Sequence, residues 1–160
     1  MCVNTDGSVI QSQSSTSAGG VIRDDNGRFV KAFAVNLGGG SITRAELAGI
    51  EHGVKLAWAA GASKVLIQTD STTAISLIES ATQEHPHYRH IAEIRRWISR
   101  DWQVKLEHVY RETNYTADYL ASLGHSLPIG LHVYELPSST MAYWLYFDSI
   151  GVQTPRYINP

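Results

Sequence analysis

The sequence predicts an α/β fold, a mixed sheet of five strands with three antiparallel strands first and helices on its faces. Two patterns carry the prediction. Period-two segments separated by Gly- and Asn-containing turns come first, and segments with apolar residues at three- and four-residue steps then alternate with short β-branched runs. An antiparallel meander followed by strand–helix–strand crossovers closes into such a sheet.

Val3 to Asp6 begins the first strand, and Ala18-Gly19-Gly20-Val21-Ile22-Arg23 forms the second. Between them Gln11-Ser12-Gln13-Ser14-Ser15-Thr16-Ser17 is polar and low in complexity, which predicts a flexible hairpin loop. Asp24-Asp25-Asn26-Gly27 ends in Asn-Gly, a pair that accepts the positive φ of a tight hairpin turn. Phe29 to Val35 alternates as the third strand, and Gly38-Gly39-Gly40 breaks the pattern. A helix is expected over Thr43 to Ala60, where Leu47, Ile50, Val54 and Trp58 make one apolar stripe and Gly61 is the stop. Lys64 to Thr69 reads as a buried fourth strand, and Ser71 to Ser80 as a helix with Ala74, Ile75 and Ile78 inward. His85-Pro86-His87 leads into a third helix, Tyr88 to Arg100, through Ile91, Ile94 and Ile98. His85, His87 and His90 have no cysteine nearby and a proline among them, a poor zinc spacing. Gln103 to Tyr110 is the fifth strand and Asn114 to Leu123 a short last helix.

Composition bounds the function. With 43% hydrophobic and 18% charged residues in 160, a wholly disordered chain is excluded. The apolar runs are too short for a bilayer span, no secretion signal opens the chain, and a lone Cys2 suits a reducing compartment. An intracellular site, nucleus or cytoplasm, with no membrane partner is therefore expected. Thirteen basic against fifteen acidic residues exclude a generically basic coat, so any nucleic-acid role needs a local patch or bound metal. The chain divides into a domain over 1–125 and an aromatic-rich tail over 126–160. From Leu127 onward the only Asp, Glu, Lys or Arg residues are Glu135, Asp148 and Arg156, a composition that suits docking on the domain. Met1 stands five residues before Asp6, which reads as a domain cut from, or descended from, a longer chain.

Four carboxylates fall at element ends: Asp6 on the first strand, Glu46 early in the first helix, Asp70 after the fourth strand and Asp118 early in the last helix. Sheet topology can gather such positions at one edge. Converging carboxylates repel unless cations lie between them, and hard divalent ions suit oxygen ligands. Each acid also fits a local role. Thr43-Arg44-Ala45-Glu46 is a capping box, Asp70 precedes Ser71-Thr72-Thr73 as an N-cap, Asp6-Gly7 suits a turn, and Asp118 complements a helix dipole.

Taken in order, Thr5-Asp6-Gly7-Ser8, Ala18-Gly19-Gly20-Val21, Arg44-Ala45-Glu46-Leu47-Ala48, Thr69-Asp70-Ser71 and Asn114-Tyr115-Thr116-Ala117-Asp118 resemble the motifs of type 1 ribonuclease H. The nearest form is the plant ribonuclease-H-like domain related to reverse transcriptases. The resemblance implies a ribonuclease H-like fold and metal-dependent endonucleolytic cleavage of the RNA strand in RNA–DNA hybrids. It implies two Mg²⁺ ions, with Mn²⁺ as substitute, held by Asp6, Glu46, Asp70 and Asp118. Asp6 would be shared, Asp70 would work with Glu46, and Asp118 would complete the other side. A monomer, part of or descended from a larger reverse-transcriptase chain, is expected.

The chain departs from the family pattern in two places. Arg111 stands where many members carry a loop histidine, and it is expected to hold the scissile phosphate or stabilise product charge. The loop after Asp6 carries Ser14-Ser15-Thr16-Ser17-Ala18-Gly19, which leaves backbone contacts to 2′-hydroxyls. From Arg89 to Arg111, six basic residues face three acidic ones, a local surplus that suits phosphates. Arg95, Arg96 and Trp97 there, with Ser8, Ser71 and Asn114 beside the acids, are the expected nucleic-acid contacts. The rivals are a catalytically weak or inactive RNA- or hybrid-binding domain derived from a retroelement polyprotein, and a purely structural domain.

Overall fold

The computed structural model describes residues 1–151. Its elements are β1 (Cys2–Ile10), β2 (Ser15–Arg23), β3 (Phe29–Gly38), α1 (Ile42–Ala59), β4 (Lys64–Thr69), α2 (Thr72–Ser80), α3 (Tyr88–Ile98), β5 (Gln103–His108), α4 (Tyr115–Gly124), β6 (Gly130–Tyr134) and α5 (Ser139–Gly151). The strands form one sheet in the order β5-β4-β1-β2-β3-β6. β1, β2, β3 and β6 pair antiparallel in turn, while β1, β4 and β5 pair parallel.

The sheet has six strands, one more than the sequence predicts. The extra strand, β6, lies in the 126–160 segment and pairs with β3 from Ala32 opposite Tyr134 to Asn36 opposite Gly130. Gly-Leu-His-Val-Tyr does alternate, but an edge strand that buries little of either face leaves a weak signal. Residues 152–160 of that segment, Arg156 among them, lie outside the described residues.

The predicted flexible loop is also shorter than expected. β1 runs on to Ile10 and β2 starts at Ser15, joined by a 3-10 turn over Gln11–Gln13 and Ser14 at φ 47°. Ladder hydrogen bonds are made by the backbone, so polar side chains do not stop a strand whose partner is in register. Thr16 and Ser17 are fully buried in it.

Alternation along the strands splits the core between two faces. Val3, Ile22, Val65 and Ile67 join Leu47, Ile50 and Val54 of α1, Ile78 of α2, and Ile91 and Ile94 of α3 on one face. Val21 and Ala32 join Leu120 of α4 and Met141 of α5 on the other. Each buried leucine or isoleucine contributes about 1.5–3 kcal/mol. Among the described residues, no helix is long and apolar enough to cross a membrane.

A polar clasp ties α3 to α1. Glu51 lies 3.0 Å from Lys55 and 2.7 Å from His90, and Lys55 lies 3.7 Å from Glu93. Burial would raise the Glu51 carboxyl, but the hydrogen bonds and charges of His90 and Lys55 outweigh it and hold it at about 2. The depressed value fixes the sign: this stability is full above the ordinary carboxylate value and is lost as pH falls through about 2. Glu51→Gln is expected to cost about 1–2 kcal/mol at pH 7 once screening of the half-exposed partners is allowed for. The gap between variant and wild type should close as urea melts are repeated from pH 5 down to pH 2. A gap independent of pH would contradict the assignment.

Candidate active site

β1 places Asp6 where three other elements end or begin. Thr5 pairs with Thr69 at the end of β4, so Asp6 and Asp70 are the next residues along two neighbouring parallel strands. On β1, Val3 and Thr5 lie under Gly53 of α1, while Asn4 and Ser8 reach Asn114 and His125 at the two ends of α4. Asp6 shares the Asn4 face and interacts with Asp118.

Two glycines let helices close on Asp6 from both faces. A Cβ on Gly7 would sit 2.7 Å from the Glu46 backbone nitrogen and 2.8 Å from Ala45 Cβ. Gly19, paired with Asp6 across β1 and β2, would place a Cβ 2.4 Å from the Ala121 nitrogen of α4. Close backbone approach of this kind needs glycine. The motifs Asp6-Gly7 and Gly19-Gly20 thus have a packing role that spacing alone does not reveal.

The local alternatives for the acids resolve differently. Ser41, not Thr43, caps α1, accepting from Arg44 N at 3.2 Å, so Glu46 is not spent on a capping box. Ser71, not Asp70, caps α2, accepting from Ala74 N at 3.0 Å. The same Ser71 hydroxyl donates to Glu46 Oε2 at 2.5 Å. Asp118 is the fourth residue of α4, and Arg111 Nη2 stands 3.8 Å from its Oδ1, with the Arg111 side chain 74% exposed. That pair is therefore loose and solvent-screened.

The electrostatics give Asp6 the central place. It is 7% exposed. Burial first, then the charge of Asp70 and that of Asp118, push its carboxyl up to about 8, against the lowering effect of the Gly7 N–H at 2.9 Å. Burial and Asp70 likewise raise Glu46, opposed by the Ser71 hydroxyl. Asp6 thus couples to acids on both sides, whereas Glu46 couples to Asp70. Among the described residues, no three His, Cys, Asp or Glu side chains are drawn together closely enough to enclose an ion. The donor chemistry nevertheless fits a hard divalent cation, with carboxylate oxygens whose mutual repulsion a positive charge would relieve.

Ser71→Ala removes a helix cap and the proton that Glu46 accepts. A loss of about 1 kcal/mol is expected, with Ser71→Thr retaining most of it. Thermal melts check this, and an unchanged midpoint in Ser71→Ala would contradict it.

Most of the expected nucleic-acid contacts are used inside the protein. Asn114 is 1% exposed; it donates to Thr5 O at 3.0 Å and accepts from Asn4 Nδ2 at 3.0 Å, which takes it out of reach of a ligand. Ser71 is 6% exposed and spent as described. Arg95 donates to the carbonyls of Leu77, Ile78 and Ala81, closing the C-terminal end of α2. Trp97 lies in a corner with Trp58, bonded to Glu93 and covered by the Arg100 guanidinium 3.6 Å from its ring centre. Ser8 bonds His125 Nε2 at 2.9 Å, and His125 Nδ1 lies 2.6 Å from Ser15 Oγ, clamping the β1–β2 hairpin to the end of α4. Arg96 faces solvent beside Glu93.

The profile of the reverse transcriptase-like family matches residues 4–124. A protein of Arabidopsis thaliana named as a ribonuclease H protein is 34% identical over 158 residues, covering 98% of this chain and 26% of that one. The chain thus spans about a quarter of the length of this relative. The N-terminal ribonuclease H domain of a Mycobacterium tuberculosis protein superposes with a TM-score of 0.72 at 20% identity, covering 78% of this chain and 92% of the other. LC11 ribonuclease H1, isolated from compost by a metagenomic approach and solved in complex with an RNA/DNA hybrid, superposes with a TM-score of 0.70 at 19% identity, covering 78% and 96%.

Proposed function

The chain belongs to the reverse transcriptase-like family, and from that membership we propose that it is an endonuclease that hydrolyses the RNA strand of RNA–DNA hybrids. The ribonuclease H fold and the named relatives support a hydrolase of this type. One observation supports the reading for this chain: the buried Asp6 carboxyl feels the charges of both Asp70, next along the neighbouring parallel strand, and Asp118 of α4.

Two Mg²⁺ ions, with Mn²⁺ as substitute, would supply electrophilic charge beside the scissile phosphate. Asp6 would be the shared ligand, since it is deeply buried and feels both Asp70 and Asp118. Glu46 and Asp70 would form one side, with the Ser71 hydroxyl aiming Glu46, and Asp118 would form the other. Arg111, largely exposed at the site's rim, lends its guanidinium to the phosphate charge and exchanges Asp118 for it on binding. The products carry 3′-hydroxyl and 5′-phosphate ends. We assign the catalytic unit to residues 1–125, working as a monomer within a chain descended from a larger reverse transcriptase. Arg96 is the remaining phosphate contact on α3.

A second reading, hybrid binding without turnover, is favoured by the open spacing of the acids. Labelled hybrid, duplex RNA and duplex DNA offered in Mg²⁺ separate the two. Cutting confined to the RNA of the hybrid supports the nuclease, and hybrid that is bound and left intact supports the binding module.

A further inference from the structure

Helix α4 starts without a cap of its own. Its first N–H groups have no partner within the helix and need one from outside. Asn114 occupies the N-cap position but makes no cap bond, because its side chain is turned inward onto Thr5 and Asn4. The missing acceptor comes from α5. Asp148 Oδ1 accepts from Tyr115 N at 2.7 Å, while Oδ2 accepts from Thr116 N at 3.0 Å and from Thr116 Oγ1 at 2.7 Å. Asp148 is 2% exposed, so this carboxylate is committed to the helix end rather than to water. Around it Trp144 packs on Tyr115, ring centres 5.6 Å apart, and Met141 enters the cluster that holds Leu120.

The place of this contact gives it a consequence. Asp118 and Arg111 lie on either side of the turn that Asp148 secures. The Asp118 N–H reaches back across that turn to Asn114 O at 3.1 Å. A helix end that loses its acceptors frays through its first turn. A ligand side chain on that turn would lose the sub-ångström placement that a metal site requires. Asp148 lies outside residues 4–124, the part that matches the family.

We propose that α5 is a positioning element for the candidate active site, with Asp148 as a positioning residue that fixes Asp118 and Arg111 against Asp6. The inference rests on the metal-site reading above. It separates two roles for the 126–160 segment, since a segment that only covered apolar surface would not need a buried acid at this point.

The test uses the full chain as wild type, Asp148→Ala, Asp148→Asn and Ile78→Val, the last a core change of modest cost on the opposite face of the sheet. Mn²⁺ binding is measured by calorimetry without substrate, beside thermal melts and single-turnover hybrid cleavage. Asp148→Ala is expected to bind Mn²⁺ roughly 10–100-fold more weakly, as loss of an outer-shell support does. Asp148→Asn should fall between, because it keeps one acceptor oxygen and the shape, and it carries the test if the alanine variant does not fold. Ile78→Val should lose thermal stability with Mn²⁺ affinity unchanged. In single-turnover cleavage, the maximal rate constant should fall in the Asp148 variants while the protein concentration that gives half of it holds. Mn²⁺ affinity within twofold of wild type in destabilised Asp148 variants would overturn the inference and leave Asp148 a structural cap. A wild type that takes up no Mn²⁺ would overturn the metal-site reading itself, and this inference with it.

Discussion

Asp70→Asn is expected to lower hybrid cleavage by about 1,000-fold or more. A ligand that supports several kcal/mol of transition-state charge stabilisation, at 1.36 kcal/mol per decade of rate, gives that magnitude. The same change should not weaken the fold. Asp70 does not cap α2, a task that Ser71 performs, and the Asp70 charge acts against both Asp6 and Glu46. Removing it relieves like-charge repulsion at a buried carboxyl, so the melting temperature should hold or rise. Activity and stability thus move in opposite directions, a combination that general damage does not produce. Single-turnover cleavage beside a thermal melt reads both. Activity within tenfold of wild type would remove Asp70 from the site, and a clear drop in melting temperature would contradict the electrostatic account.

Gly19→Ala is expected to be strongly destabilising. The added Cβ would lie 2.4 Å from Ala121 N and 2.5 Å from Leu120 C, both helix backbone atoms that cannot rotate away. α4 must then lift from β2, at a cost of about 3 kcal/mol or more. For a chain of this size that is a fall of roughly 6–12 °C in melting temperature. Asp118 rides on α4, so cleavage should fall with stability. Gly61→Ala is the comparison: its φ of +84° makes the change a backbone strain alone, with nothing within 4 Å of the new Cβ. A melting temperature for Gly19→Ala equal to that of Gly61→Ala would mean that α4 does not pack on β2 as described.

Much of the fold was legible because it rests on local chemistry. The stripe of Leu47, Ile50 and Val54 marks α1, and these residues are fully buried against the sheet. The alternation of Phe29 to Val35 marks β3. Less visible were features made by distant partners. β6 is hidden in the sequence because its pairing with β3 leaves Leu131 and Val133 exposed, so it carries no core-facing stripe of its own. The start of β2 is hidden because Ser15, Thr16 and Ser17 look like loop residues, while register with β1 carries the strand from Ser15.

The acids are legible through their order along the chain, and topology sets two of them on neighbouring strands, since Thr5 and Thr69 pair directly before Asp6 and Asp70. Their neighbours were not. Asn114, Ser71, Arg95 and Trp97 have the side chains of ligand contacts, yet each is spent on backbone, on another side chain or on the core. A single sequence lists donors without showing which acceptors lie near them in space. Asp148 is the sharpest instance: nothing adjacent to it in sequence hints at a helix end that begins at Tyr115.

The most direct test of the central claim is wild-type cleavage of a uniformly labelled RNA–DNA hybrid under single-turnover conditions in Mg²⁺, with the product ends identified. Internal cuts in the RNA strand bearing 3′-hydroxyl and 5′-phosphate ends, lost on chelation and restored by Mn²⁺, are predicted. Hybrid retained by the protein and left intact in both metals would contradict the account.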